Sequence, residues 1–351
     1  MAILHFLKIP LGGVGETGFH ASFCMETVRP TVKVAFVDFW ETFDPENHYL
    51  MQQLRKLFTV ELSDSPDFVF YSDGQGGVHQ SFNCKRIYVA IEDRVPNFRA
   101  CDYAFTFREM ADPRNLRLPF YVTVGQGAEP LIRGDAAEEA ELRGERRRFC
   151  AFVVSNVNAR RTARRRSFFE KLHAARHVDS GGKALNNVGG PVADKHAFIS
   201  GARFCLSLEN YAMRGYTTEK LYQAMAARCI PIYWGNPDVA EDFNPASFIN
   251  ISDFDSDAAA VEYVLEVDRD PDLQAKYHEA PFFPDNEPTK YFRDDYLLPQ
   301  LETICSSPKR KRSHFWVGDI VHDLRKRWGF YVPAIAPNAG LGPRFANADV
   351  E

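Results

Sequence analysis

Six polar side chains able to contact a ligand are concentrated between residues 209 and 220. They lie in a predicted loop between the apolar run Phe204–Leu208, typical of a buried parallel strand, and a predicted helix capped by Thr217 or Thr218. A second apolar run, Cys229–Trp234, completes a βαβ unit. Ligands of open α/β sheets bind outside the carboxyl ends of the strands, so we expect a ligand beside these residues: Glu209, Asn210, Arg214, Tyr216, Glu219 and Lys220.

Lys220 is the most informative residue of this loop because it falls in the first turn of the predicted helix. The helix dipole favours an acidic residue such as Glu219 there and disfavours a cation, unless an anion lies nearby. A helix start that carries a lysine is a suitable phosphate site. The alternative is a surface lysine paired with Glu219 or Glu209, and the spacing alone leaves both interpretations open.

The elements that must position this loop follow an alternating order. Strands are predicted at Val32–Phe36, Phe68–Tyr71 and Arg86–Ile91, with an amphipathic helix at Asn47–Phe58. Phe120–Val124 is a further short apolar segment, and Asp73–Gly77 is a glycine-rich turn. Further predicted elements are the strand Phe149–Val154 and the helices Arg164–Ala175, Ala193–Ser200, Ala258–Leu265 and Pro271–His278.

This alternation predicts an α/β protein with two Rossmann-like domains. Residues 125–148 are poor in large apolar side chains and are interpreted as a linker with a solvated helix. The predicted domains are residues 1–148, residues 149–305, and a basic tail, 306–351, in which a helix could pack back on the first domain. The tail holds Lys309–Arg312 and an amphipathic stretch, Phe315–Trp328, that suits weak peripheral contact with an anionic membrane.

Composition narrows the function classes. The net charge of −5 gives no general attraction to nucleic acid, so the basic run Arg160–Arg166 ranks low as a nucleic-acid patch. The seven cysteines form no CxxC pair, which favours reduced, buried thiols and a cytoplasmic location. No Cys/His metal cluster, signal peptide or membrane-spanning stretch is evident from the sequence.

Three segments resemble a known family. The motifs FCLSLEN, GYTTEKLYQA, CIPIYWG and DFNPASFINISDF stand in order over about fifty residues, and they closely resemble the α1,3/4-fucosyltransferases, glycosyltransferase family 10. VVSNVNARRTARRRSFFEKL and RIYVAIEDRVPNF resemble two further family segments. The resemblance covers residues ~85 to ~255 well and the rest poorly, as variable peripheral loops would.

The resemblance implies the GT-B architecture, in which two Rossmann-like domains face each other across a cleft. It implies an inverting enzyme that moves L-fucose from GDP-β-L-fucose to O3 of N-acetylglucosamine in an N-acetyllactosamine-type glycan. The donor would bind the C-terminal domain and the acceptor the N-terminal domain. The lack of an N-terminal anchor suggests a bacterial-type enzyme, soluble or peripheral on the inner membrane face.

Inversion by single displacement needs a base, and Glu92 matches the family's proposed catalytic carboxylate. It directly follows the predicted strand Arg86–Ile91 and would project from its carboxyl end. Asp93 is the adjacent rival. The alternative for Glu92 is an exposed loop residue paired with Arg94.

The departing diphosphate needs cations, and the resemblance assigns Arg165 and Lys220 to this role. Arg164 or Arg166 could be the true match, because the preceding loop is longer than usual for the family. The resemblance also places Glu219 at the ribose, with the remaining donor contacts at Asn210, Tyr216 and Asn156. Ser180–Gly182 offers backbone N–H groups that either bind phosphate or form a plain turn.

No metal cofactor is expected, although Mg or Mn can stimulate modestly. Asp253 and Asp255 form an Asp-x-Asp pair, but they precede a predicted helix where Asp serves equally well as an N-cap. The rival functions are another GDP-sugar transferase of the same fold and a non-catalytic nucleotide-sugar or glycan-binding module. A nucleic-acid-binding protein that uses Arg160–Arg166 is a third possibility.

Overall fold

The computed structural model describes residues 29–308, apart from 75, 126 and 157–161. A first sheet has six parallel strands in the order β2-β1-β3-β4-β5-β6. Its strands are β1 (Thr31–Val37), β2 (Thr59–Leu62), β3 (Phe68–Tyr71), β4 (Lys85–Val89), β5 (Tyr103–Thr106) and β6 (Asn115–Arg117).

A second parallel sheet follows in the chain, with the order β11-β10-β9-β7-β8. Its strands are β7 (Arg148–Phe152), β8 (Val178–Ser180), β9 (Ala202–Leu208), β10 (Ile230–Trp234) and β11 (Ile249–Asn250). The two sheets with their helices make the chain an α/β protein with two Rossmann-like halves.

Helices connect the strands of both sheets. They are α1 (Tyr49–Leu57), α2 (Phe120–Val124), α3 (Ala136–Arg143), α4 (Ala163–Ala175), α5 (Lys195–Ser200), α6 (Glu219–Ala226), α7 (Asp257–Arg269), α8 (Pro271–Glu279) and α9 (Asp294–Ser306). The apolar segment Phe120–Val124 is therefore helical, and it follows Pro119 at its N-cap. Helix α6 buries Leu221, Ala224 and Met225 on one face, as its spacing predicts.

One local interpretation of the sequence is wrong. The N-cap of α7 is Ser256, whose hydroxyl accepts from Ala259 N, whereas Asp253 accepts from Asn250. At Ser180–Gly182 the backbone N–H groups of Ser180 and Gly181 donate to Asn187 and Phe152, which favours the plain turn over a phosphate site.

The two halves share one compact unit. Arg117 at the end of β6 forms a fully buried, two-bond ion pair with Asp242 of the second half, at 2.9 Å for both bonds. The C-terminal segment returns to the first sheet, where Phe283, Leu297 and Leu301 join the same core as α1. Residues up to Ser306 cluster as one unit, so the domain boundary near residue 148 stays a prediction.

Six cysteines fall within the described residues, and all but Cys305 are buried. Of the helices that are described, none has the length and apolar character to cross a bilayer. Arg160, Arg161, residues 1–28 and the tail stretches Lys309–Arg312 and Phe315–Trp328 lie outside the described residues.

Candidate active site

Residues from both sheets meet through hydrogen bonds at the carboxyl ends of β4 and β9. Glu92 lies three residues after β4, and Asn210 lies two residues after β9. The amide nitrogen of Asn210 is 3.1 Å from Glu92 Oε1, and the Tyr216 hydroxyl donates to Glu92 Oε2 at 2.8 Å. A carboxylate of the first half is thus held directly by the loop that precedes α6.

Tyr216 is a permanent donor in this arrangement. Burial raises the pKa of its phenol, and the nearby carboxylates of Glu209 and Glu92 raise it further. The hydroxyl is therefore held in its protonated, donating form. Its ring is stacked on Tyr211 with centroids 4.7 Å apart, which fixes the direction of the O–H group.

The backbone of Glu92 is held by Asp73, a residue that the sequence analysis did not assign to the site. One carboxylate oxygen of Asp73 accepts from the N–H groups of Ile91 and Glu92 at 3.2 and 3.1 Å. The other accepts from the Tyr88 hydroxyl and lies 3.2 Å from Arg94 Nε. Arg94 therefore contacts Asp73, whereas the alternative interpretation had paired it with Glu92.

Asp93, the other candidate for the base, forms an ion pair with Arg108. Its two oxygens accept from Arg108 Nε and Nη2 at 2.7 and 2.5 Å, and its side chain is almost fully buried. Such a two-bond ion pair stabilises the charged carboxylate in place.

Arg165 is buried in the second half, and all three nitrogens of its guanidinium donate hydrogen bonds. It donates to the carbonyl oxygens of Leu208 and Asn156 at 3.1 and 3.0 Å, and to Asn210 Oδ1 at 2.5 Å. Asn210 therefore bridges Arg165 and Glu92, with its oxygen toward the cation and its nitrogen toward the carboxylate. This polarity fixes the orientation of the amide.

The neighbouring arginines point elsewhere. Arg164 forms an ion pair with Asp257, and Arg166 forms one with Glu170. Both side chains are substantially exposed, whereas Arg165 is 2% exposed. Of the three candidates for the diphosphate contact, Arg165 alone is hydrogen-bonded to Asn210 in the described part of the chain.

Lys220 lies at the start of α6 among carboxylates. Its ammonium is 3.1 Å from Glu209 Oε2, 3.5 Å from Glu219 Oε1 and 2.7 Å from the Thr218 hydroxyl. Burial disfavours this charge, but Glu209 and Glu219 outweigh burial and raise the pKa of Lys220. The pairing expected by the alternative interpretation is therefore present, and the same lysine stands at a helix N-terminus.

Glu209 ties the loop to the start of α6. It is fully buried and accepts from the Thr218 backbone N–H at 2.7 Å and from the Thr218 hydroxyl. Thr218 is the N-cap residue of α6, yet its hydroxyl makes no capping bond; it donates to Glu209 and accepts from Lys220 Nζ instead. Arg214, in contrast, is exposed and pairs with Asp238, so it lies outside this network.

Glu219 completes the charged group together with Lys195, a second residue that the sequence analysis missed. Lys195 Nζ is 4.0 Å from Glu219 Oε1. Burial alone would raise the pKa of Glu219, but Lys220 and Lys195 outweigh it and lower the pKa to about 2. Lys195 also lines a cavity of about 1240 Å³ between α5, α6, α3 and the segment before α3.

This low pKa predicts an acid-dependent loss of stability. A carboxylate whose pKa is lower in the folded than in the unfolded chain stabilises the folded state above about pH 4.3. This contribution to stability is lost as the pH falls toward 2. Between pH 5 and pH 3 we expect the unfolding free energy of the wild type to fall by at most about 2 kcal/mol more than that of Glu219→Gln. Urea unfolding at several pH values measures this, with the exposed Glu241→Gln as control. Equal slopes for wild type and Glu219→Gln would contradict it.

These residues form one charged group. Glu92 faces the buried Arg165 across the side-chain amide of Asn210. Around the start of α6 lie Lys195, Lys220, Glu209 and Glu219. Such a site can accept a proton from a hydroxyl and stabilise a departing anion. Within residues 29–308, excluding those not described, no three His, Cys, Asp or Glu side chains are grouped as metal ligands.

Two parallel α/β sheets whose carboxyl ends meet at a site of this kind define the GT-B class of glycosyltransferases. The profile described as glycosyltransferase family 10 (fucosyltransferase) C-term matches residues 144–324, and that of the alpha-(1,3)-fucosyltransferase FucT N-terminal domain matches residues 34–124. The chain belongs to glycosyltransferase family 10, the fucosyltransferase family. The family resemblance seen in the sequence is thereby confirmed.

Individual relatives agree with this assignment. The chain is 32% identical to alpha-(1,3)-fucosyltransferase FucT of Helicobacter pylori over 274 residues, which are 67% of this chain and 57% of that protein. It is 33% identical to human 4-galactosyl-N-acetylglucosaminide 3-alpha-L-fucosyltransferase 9 over 130 residues, 36% of this chain and 35% of that protein. The chain thus spans little more than half the length of the bacterial relative.

Solved structures give the same fold. A crystal structure of an alpha1,3-fucosyltransferase is 25% identical, with a TM-score of 0.69, and the match covers 87% of this chain and 97% of that one. A crystal structure of alpha1,3-fucosyltransferase with GDP-fucose is 26% identical, with a TM-score of 0.67, and covers 86% and 96%.

Proposed function

We propose that this protein is an inverting α-1,3-fucosyltransferase. It would transfer L-fucose from GDP-β-L-fucose to O3 of N-acetylglucosamine in an N-acetyllactosamine-type acceptor. The observation that carries the proposal is the Asn210 bridge, which holds a carboxylate of the first half against a buried guanidinium of the second. Family membership and the GDP-fucose complex of a similar protein support the choice of donor.

In this mechanism Glu92 is the base. The acceptor O3–H proton passes to the Glu92 carboxylate while O3 forms a bond to C1 of fucose. The bond from C1 to the β-phosphate oxygen breaks, and its electron pair leaves with GDP. Attack from the face opposite the leaving group converts the β-linked donor into an α-fucoside.

The departing diphosphate gains negative charge as the bond breaks, and Arg165 and Lys220 stabilise that charge. Arg165 uses three donor positions within the protein and has N–H groups left for a phosphate oxygen. Lys220 is neutralised by Glu209 and Glu219, so an incoming diphosphate would share its ammonium with them.

The other donor contacts are proposed for Glu219, Asn210, Tyr216 and Asn156. Glu219 accepts from the ribose hydroxyls, because a carboxylate can take two such bonds at once. Asn210 and Tyr216 also touch Glu92, so they stand where the donor sugar and the base meet. None of these steps is routed through a metal ion, and we expect at most a modest stimulation by Mg or Mn.

A panel of nucleotide sugars tests the proposal. We expect the purified chain to release GDP from GDP-fucose only with an N-acetyllactosamine-type acceptor, and largely unchanged by a chelator. Proton NMR of the product would show an α-linked fucose on O3. Turnover of a different GDP-sugar would instead favour another transferase of this fold. GDP binding without transfer from any donor would favour a non-catalytic binding module.

A further inference from the structure

An aromatic surface lies at the same sheet edge as Glu92. Trp40 follows β1 by three residues, just as Glu92 follows β4 by three residues. Only β3 separates these two parallel strands, so their carboxyl ends lie about 10 Å apart at one edge of the sheet, which is twice the strand spacing. Trp40 is 38% exposed, which is unusual for a tryptophan in a folded domain.

The indole is part of a contiguous patch, and the patch rather than the single residue needs an explanation. The ring of Trp40 meets Phe43 at 5.0 Å and Phe120 at 6.1 Å, both at 89°, and it meets Phe39 at 5.9 Å. Among the described residues, no aromatic ring lies parallel to the indole. The three phenylalanines are themselves partly exposed.

A single turn holds both Trp40 and Glu92 in place. Asp38, two residues before Trp40, has a φ of 59° and accepts from the backbone N–H groups of Val78 and His79 at 3.0 Å. Its carbonyl accepts from Gly74, where an added Cβ would stand 2.2 Å from that oxygen. The same turn supplies Asp73, which fixes the Glu92 backbone. The glycine-rich turn Asp73–Gly77 therefore sets the spacing between the aromatic patch and the carboxylate.

The patch is also continuous with the site. Phe120 packs against the cluster that contains Tyr216, and Tyr216 donates to Glu92. An aromatic ring beside a few polar groups is the usual lining of a ligand site, and the C–H face of a sugar packs well on it.

We propose that Trp40 is the stacking platform for the acceptor sugar next to the one that receives fucose. This inference rests on the proposed function. The reacting sugar lies at Glu92, and its neighbour in the glycan covers the indole. A monosaccharide acceptor would occupy the first position and leave the platform empty.

The test compares N-acetyllactosamine with N-acetylglucosamine as acceptors. In Trp40→Ala and Trp40→Leu we expect the KM for the disaccharide to rise about tenfold, because the flat ring is lost. The KM for the monosaccharide and the KM for GDP-fucose should stay within about twofold. Trp40→Phe and Trp40→Tyr keep a ring and should restore most of the disaccharide affinity. Leu62→Ala, an exposed apolar residue of the edge strand β2, is the matched control.

Two outcomes would contradict the proposed stacking of Trp40 on the acceptor sugar. One is an unchanged disaccharide KM in Trp40→Ala and Trp40→Leu. The other is an equal rise for both acceptors, which would indicate a general disturbance of the site. If no variant transfers fucose, saturation-transfer NMR of N-acetyllactosamine on wild type and Trp40→Leu still tests the contact. Acceptor signals that depend on Trp40 would then support the platform although the proposed function had failed.

Discussion

Glu92→Gln is expected to lower kcat by about a thousandfold while GDP still binds with nearly unchanged affinity. The amide keeps the size of the side chain but cannot take the acceptor proton. Asp73 holds the backbone at this position and is untouched by the substitution, so the loop should keep its place. Glu92→Ala should show the same loss of kcat, and it introduces no amide group that could donate a new hydrogen bond. Initial rates of GDP release and calorimetric titration with GDP separate the two effects.

Asp93→Asn is the matched control, since Asp93 is the other carboxylate of the same loop. It loses the charge that pairs with Arg108, so we expect a lower melting temperature but continued transfer. Transfer by Glu92→Gln at nearly the wild-type rate would remove Glu92 as the base. Loss of transfer in Asp93→Asn alone would move the assignment to Asp93.

Arg165→Lys is expected to reduce transfer by at least a hundredfold and to weaken GDP binding. The guanidinium reaches Leu208 O, Asn156 O and Asn210 Oδ1 at once, and a single ammonium cannot reproduce three directions. The substitution keeps the charge, so any loss reports geometry rather than net attraction. Because the side chain is buried, we also expect the unfolding free energy to fall by about 2–4 kcal/mol. Kinetics, GDP titration and urea unfolding measure the three effects.

The adjacent arginines supply the comparison. Arg164→Lys and Arg166→Lys change ion pairs with Asp257 and Glu170 in which the arginine is exposed and its charge is kept, and each should cost less than about 1 kcal/mol with GDP affinity retained. If GDP affinity instead fell in Arg164→Lys or Arg166→Lys and held in Arg165→Lys, the diphosphate contact would belong to a different face of α4.

Much of the architecture was predictable because buried strands and helices have patterns of apolar residues that can be recognised in the sequence. The runs Phe68–Tyr71 and Phe204–Leu208 are apolar apart from Ser207 and form buried strands, and the spacing of Leu221, Ala224 and Met225 predicted the buried face of α6. The strands β2, β6 and β8 were missed, because TVEL, NLR and VDS are short and mixed in polarity. Phe120–Val124 carries β-branched and aromatic residues in a five-residue segment, and its helical state is set by packing against α6.

What the sequence determined by itself was the set of chemically capable residues at strand ends, together with their family. Which of them touch was decided only by the tertiary structure. Glu92 and Asn210 are 118 residues apart in the chain and belong to different sheets, so no local periodicity connects them. The same holds for Asp73, Lys195 and Trp40, whose importance comes from what lies beside them. A local pattern records whether a side chain is buried, whereas the partner of a polar group depends on how distant strands are ordered.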